Sequence, residues 1–300
     1  MTIYVNGAPL AMDQRAGGNL GEALSAADGL IEKAGSVIVS LRVDGAEVDA
    51  DSYAAFASRP MESIESVEIQ AEDSSAIRIR AIRTFLELLA LAKRFTEDEP
   101  ADGDAVDWPS LRAGALDMRD AFAGLFSADE LSFVQLFAGL LERAGDAPDK
   151  ASRVELSAQA DRLSSVFGER LAELVSPALE MRTAASLFEA KASELADLPV
   201  LLQTGKEDQA MKVVLYFIEI FNKVIRVIPE LRKSGIDTSS ISIGGSAMAE
   251  FYGSFNEVLR DLTGAFERKD SVLIGDLAEY EVLPRMRDFF SAMRDALPES

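Results

Sequence analysis

The chain contains neither cysteine nor histidine. Without histidine it lacks the commonest general base, the usual catalytic triads and most zinc sites. Without cysteine it has no disulfide framework, no thiol nucleophile and no thiolate metal site. A cysteine-free chain also suits a reducing compartment. Glycine-rich phosphate loops are missing too: Thr204-Gly205-Lys206 lacks the upstream glycine of a P-loop. Any chemistry would fall to carboxylates, Lys, Tyr, Ser or Thr. The expectation is a protein that is not an enzyme and uses no cofactor.

Uninterrupted apolar runs are also lacking. The best candidate, Met211 to Leu231, is broken by Lys212, Glu219, Lys223, Arg226 and Glu230, so no bilayer span is expected. The first residues, Met1 to Gly7, lack the basic start and apolar run of a signal peptide. A cytoplasmic location without membrane insertion follows as the expectation. Basic residues are scarce, 30 against 51 acidic ones, for a net charge of −21. Such a surface repels phosphate backbones, which argues against nucleic acid and anionic membranes as partners. A basic protein partner is compatible with it, although acidity also serves solubility alone.

What is present divides in two. Residues 1–73 alternate strand and helix signals. Thr2 to Val5 is a short β run ending at the turn pair Asn6-Gly7. Leu20, Ala23, Leu24, Ala27, Leu30 and Ile31 recur at helical spacing within Asn19–Ala34, and Gly35 ends the pattern. Val37 to Val43 is β-branched and stops at Asp44-Gly45, a hairpin signal. A short strand at Ala46–Val48, a helical turn at Tyr53–Ala57 and an alternating strand at Ile64–Ile69 complete the module. This element order resembles the β-grasp, or ubiquitin-like, arrangement. That resemblance implies a protein-binding module, although fold alone does not fix function.

From residue 74 to 300 the pattern is helical, which makes the fold class α+β: a small β-grasp-like module before a large all-α bundle. The bundle admits a subdivision near 146–150 or 203–206. Helices are expected at Ile77–Phe95, from an Asp107 cap to about Phe126, and from the capping box Ser127/Glu130 to near Gly145. An exposed acidic loop is expected at Thr96–Asp107. Lys150 to Leu202 reads as nearly continuous helix with a kink or a Ser176-capped restart at Pro177. Gly235–Gly245 reads as a loop, with Ser246 capping a helix to about Arg268. The last helix, Ser271–Ala296, holds Pro284 as a kink. Trp108, Phe122, Phe126, Phe133 and Phe137 are expected in the core before they are expected at a docking site.

The segment Glu207–Lys233 is the most informative. Lys212, Tyr216, Glu219, Lys223, Arg226 and Glu230 step by four and three, a narrow polar stripe on an otherwise apolar helix. Such a helix is either the centre of a bundle or part of a dimer interface, and the first reading is favoured. The stripe is expected to be wet. Val224→Asp should then be ruinous and Lys223→Ala mild.

Two further residue groups bear on function. Asp276, Glu279 and Glu281 form the densest acidic cluster, with Asp276 and Glu279 at i, i+3 on one helix face. They are the candidate metal ligands, but would need ligands from another helix, and a solvated face is the simpler reading. Phe266-Glu-Arg-Lys-Asp-Ser-Val-Leu and Asp276-Leu-Ala-Glu-Tyr-Glu, within Leu259–Pro284, resemble the small helical export chaperones of flagellar and type III secretion systems. This resemblance implies a bacterial, acidic protein that holds partner segments against apolar helix faces. The chain is longer than those chaperones, and its N-terminal module is foreign to them. The expectation is therefore a protein-interaction protein: an adaptor, scaffold or chaperone-like binder. Its partner would be another protein, basic or offering an amphipathic helix, or a second copy as homodimer. The alternatives are a structural homo-oligomer and a carboxylate-based metal protein or enzyme.

Overall fold

The computed structural model describes residues 2–11, 18–97, 107–122 and 124–298. The acidic loop expected at Thr96–Asp107 falls, from 98 to 106, outside them. The architecture is α+β. Backbone contacts divide the chain into two compact units, Met1–Gly168 and Glu169–Ser300.

Among the described residues the first unit opens with five strands: β1 (Thr2–Val5), β2 (Ala8–Pro9), β3 (Ser36–Val43), β4 (Ala46–Glu47) and β5 (Ser66–Asp73). They form one sheet in the order β2-β1-β5-β3-β4. β1 runs parallel to β5, with Ile3 opposite Val67, and β3 is antiparallel to β5 with a bulge between Ile38 and Ser40. Alternation along β5 buries Val67, Ile69 and Ala71. These pack with Leu20, Ala23, Leu24, Ala27 and Ile31 of α1 (Leu20–Lys33) in one apolar cluster. Asn19 caps α1, its side chain accepting from Glu22 N–H. The β3–β4 turn places Asp44 at φ 51°. Its carboxylate accepts from the N–H groups of Ser66 and Glu65 and from Arg59, which holds its pKa below the usual carboxylate value. A short helix, α2 (Ala50–Ala57), lies between β4 and β5.

Among the described residues four helices follow: α3 (Ser74–Glu97), α4 (Trp108–Ala121), α5 (Ala128–Ala144) and α6 (Lys150–Val175). Asp107 caps α4, and Ser127 with Glu130 forms the expected capping box on α5. Glu130 is buried and also receives Arg78 of α3 at 2.6 Å. Trp108, Phe126 and Phe137 are buried, whereas Phe122 and Phe133 are half-buried. Phe85 meets Phe137 and Phe167 edge-on at 6.2 and 4.7 Å between centroids.

The second unit begins in the last turns of α6. It contains α7 (Pro177–Ala196), α8 (Leu198–Gln203), α9 (Glu207–Lys233), α10 (Met248–Glu267), α11 (Ser271–Asp276) and α12 (Leu283–Ala296). Three sequence expectations change here. The near-continuous helix restarts at Pro177 as expected, and Pro199 in the first turn of α8 adds a second restart, so the segment is three helices. Ser176 occupies the cap position of α7, but its side chain makes no capping bond. The loop Gly235–Gly245 contains a 3-10 turn, Thr238–Ser240, and half of a two-residue hairpin, β6 (Ser242–Ile243) with β7 (Ser246–Ala247). Gly244 and Gly245 turn it at φ 57° and 88°, so Ser246 pairs in a ladder and Ala247 takes the cap position of α10. Between α11 and α12 the backbone widens into a π-helical segment, Leu277–Val282, just ahead of Pro284.

Candidate functional site

Helix α9 decides the functional reading, because its faces are not disposed as its composition suggests. One apolar face is buried: Val213, Phe217, Ile220, Val224, Val227 and Leu231 belong to the core of the second unit. Phe217 meets Phe188 of α7 edge-on at 5.6 Å, and Phe221 meets Phe255 of α10 at 5.7 Å. A second apolar face is bare. Met211, Leu215, Ile218 and Ile225 are 50, 52, 43 and 62% exposed. With Asn222, also exposed, they step by four, three, four and three residues. That is the strict heptad spacing of a helix–helix seam, with one polar residue in it. The helix is therefore not buried all round, and the central-helix expectation is corrected: α9 is a wall of the unit with one apolar face left open.

The polar stripe is also corrected. Lys223 and Glu230 are only 6 and 8% exposed, and Tyr216 and Arg226 are half-buried. Lys223 Nζ lies 3.0 Å from Glu169 and 2.5 Å from Glu180. Arg226 grips Glu173 with two hydrogen bonds at 2.9 and 2.7 Å, and Glu173 also takes Arg170 at 3.1 Å. The stripe thus clasps α9 to the end of α6 and the start of α7. Burial works to lower the Lys223 pKa, but the carboxylates of Glu180 and Glu169 outweigh it and leave the value raised. Lys212 and Glu219 remain exposed on the margin of the bare face.

On its other margin the bare face runs into a notch of about 70 Å³ between α9 and α10, lined by Phe221, Ile225, Tyr252, Phe255, Asn256 and Leu259. Burial raises the pKa of the Tyr252 hydroxyl. A wider cleft of about 820 Å³ lies between α7 and α12, where Arg287 is already paired with Glu189 at 2.8 Å.

The candidate metal ligands do not converge. Asp276 ends α11 and is exposed, Glu279 is exposed on the π-helical segment, and Glu281 is taken by Arg285 at 3.0 Å. Among the described residues, no group of three or more carboxylates is placed to hold a metal ion. Gly205 and Lys206 close the α8 end, with the Lys206 N–H donating to Leu201 O at 2.8 Å. No described helix is long and apolar enough to cross a membrane. Sequence reasoning missed Leu215, Ile218, Asn222 and Ile225 as a group. The signal was their four-three spacing, hidden among equally apolar neighbours that face the core.

Residues 180–291 match the model of a domain of unknown function, DUF8042. The match spans all of α9, the face described above and the notch beside it. Residues 1–72 match the model of the TP0873 N-terminal domain. An uncharacterized protein of Treponema pallidum (strain Nichols) is 25% identical over 108 residues, which cover 36% of this chain and 54% of that protein. The chain thus matches little more than half the length of that relative. No solved structure matches.

Proposed function

We propose that the chain is a non-enzymatic protein-interaction protein whose docking surface is the bare face of α9. The observation that carries this reading is the row Met211, Leu215, Ile218 and Ile225, all near or above half exposure along one line of one helix. Scattered exposed apolar residues are ordinary, but a contiguous apolar strip edged by charge marks an interaction surface. The adjoining notch supplies a recess for an anchoring side chain, the feature on which binding energy concentrates. The lack of histidine and cysteine supports the non-enzymatic part. The N-terminal module is read as β-grasp-like, and the sheet order with β1 parallel to β5 supports that.

A photo-crosslinking residue at position 218, with exposed Glu155 of α6 as the control position, tests the reading in the cells that make the protein. A protein adduct at 218 and none at 155 is expected. No adduct at 218 overturns it.

A further inference from the structure

We infer that the occupant of this face is the same face of a second copy, the two α9 helices lying antiparallel seam to seam. The inference rests on the reading of α9 as a docking surface and adds the identity of the partner.

Three observations favour a second copy. The first is the seam. A heptad-spaced row is the pattern by which helices pair with helices. Asn222 is the one polar residue in the row, among Leu215, Ile218 and Ile225. A two-fold axis needs one patch that complements itself, and this row pairs with its own reversed copy.

The second is charge. A chain of net charge −21 meets its own copy at a cost over most of its surface. Along the margin of the seam, however, Lys212, Glu219 and Arg226 follow one another seven residues apart with alternating sign. Set antiparallel with Leu215 opposite Ile218 of the other copy, each Glu219 faces the other copy's Lys212, whereas a register centred on Glu219 would oppose like charges. Lys212 and Glu219 are exposed, so they stand where such pairs form, while Arg226 is held by Glu173. Pairing that is parallel and in register would instead set this row against Val214 and Phe221, which carry no charge.

The third is area. Four large side chains about half exposed offer on the order of 400 Å² of apolar surface, within the roughly 300–600 Å² of the largest patches on monomers. That is about half of the ~800 Å² each partner contributes to a standard interface. The charged row on one side and the notch wall of Tyr252, Asn256 and Leu259 on the other extend it as a rim.

Sedimentation equilibrium of the full chain tests the inference. At micromolar concentration the protein should have twice the chain mass of 32.4 kDa. Leu215→Glu should raise the dissociation constant by roughly thirty-fold or more, the size of a hot-spot loss. Glu219→Lys, which makes the row uniformly cationic, should raise it several-fold, and added salt should narrow that gap. Both residues are exposed, so both variants should keep the wild-type circular dichroism. A single-chain mass at every concentration overturns the inference, as does a dimer that Leu215→Glu leaves intact. If the mass is that of one chain and position 218 still crosslinks to a different protein, the second copy is excluded and the docking face stands.

Discussion

Lys223 of α9 reaches Glu180 of α7 at 2.5 Å from a position only 6% exposed. This pair reverses the sense of the helix, turning its charged stripe inward and one apolar stripe outward. Removing one partner of a buried ion pair strands the other charge. Lys223→Ala is therefore expected to cost roughly 3 kcal/mol, whereas Lys223→Ala combined with Glu180→Gln should recover part of it. Urea unfolding of the two variants checks this, and a harmless Lys223→Ala would remove the clasp from the account.

The same pair sets a pH dependence. The folded pKa of Lys223 lies above the usual 10.5. Its contribution is then fully present below the unfolded value and lost as pH rises through the higher folded one. As pH rises past 10.5, the wild type should lose more unfolding free energy than Lys223→Arg, whose guanidinium stays charged. Parallel loss in the two proteins would show that Lys223 does not supply this stability.

Gly275 of α11 marks a close approach. A Cβ there would lie 2.1 Å from Cγ of Pro199 in α8. Gly275→Ala should destabilise by about 1–3 kcal/mol through overpacking. Gly253 of α10 has open space around it, so Gly253→Ala should stabilise by about 0.5–1 kcal/mol. Melting temperatures shifted in opposite directions are the expected outcome.

Asp276, Glu279 and Glu281 should behave as surface carboxylates. Magnesium, calcium or manganese should leave the melting temperature of wild type and of Glu279→Gln alike unchanged. A saturable rise in the wild type, abolished by Glu279→Gln, would restore the metal reading.

The sequence made some of this legible and hid the rest for a physical reason. The capping box of Ser127 and Glu130, the Asp107 cap and the β-rich front are local signals, each complete within a few residues. The inward turn of Lys223 and Arg226 is not local: Glu169 and Glu173, which receive them, lie 54 and 53 residues earlier in the chain. A helical stripe of charge looks the same in sequence whether water or distant carboxylates face it. The bare seam was hidden by the converse, since Leu215 and Phe217 are equally apolar and only packing separates them. The hairpin at Gly244-Gly245 escaped notice because two-residue strands carry no periodicity.

The central claim is that α9 has one buried and one open apolar face, and the neighbours Val224 and Ile225 test it most directly. They are 5 and 62% exposed. The measurement is the circular dichroism and thermal melt of Val224→Asp and Ile225→Asp in dilute solution. Val224→Asp should lose the native fold, because it buries an unpaired carboxylate, while Ile225→Asp should keep the wild-type spectrum and a cooperative melt. Equal collapse of both variants would contradict the account, as would equal tolerance of both.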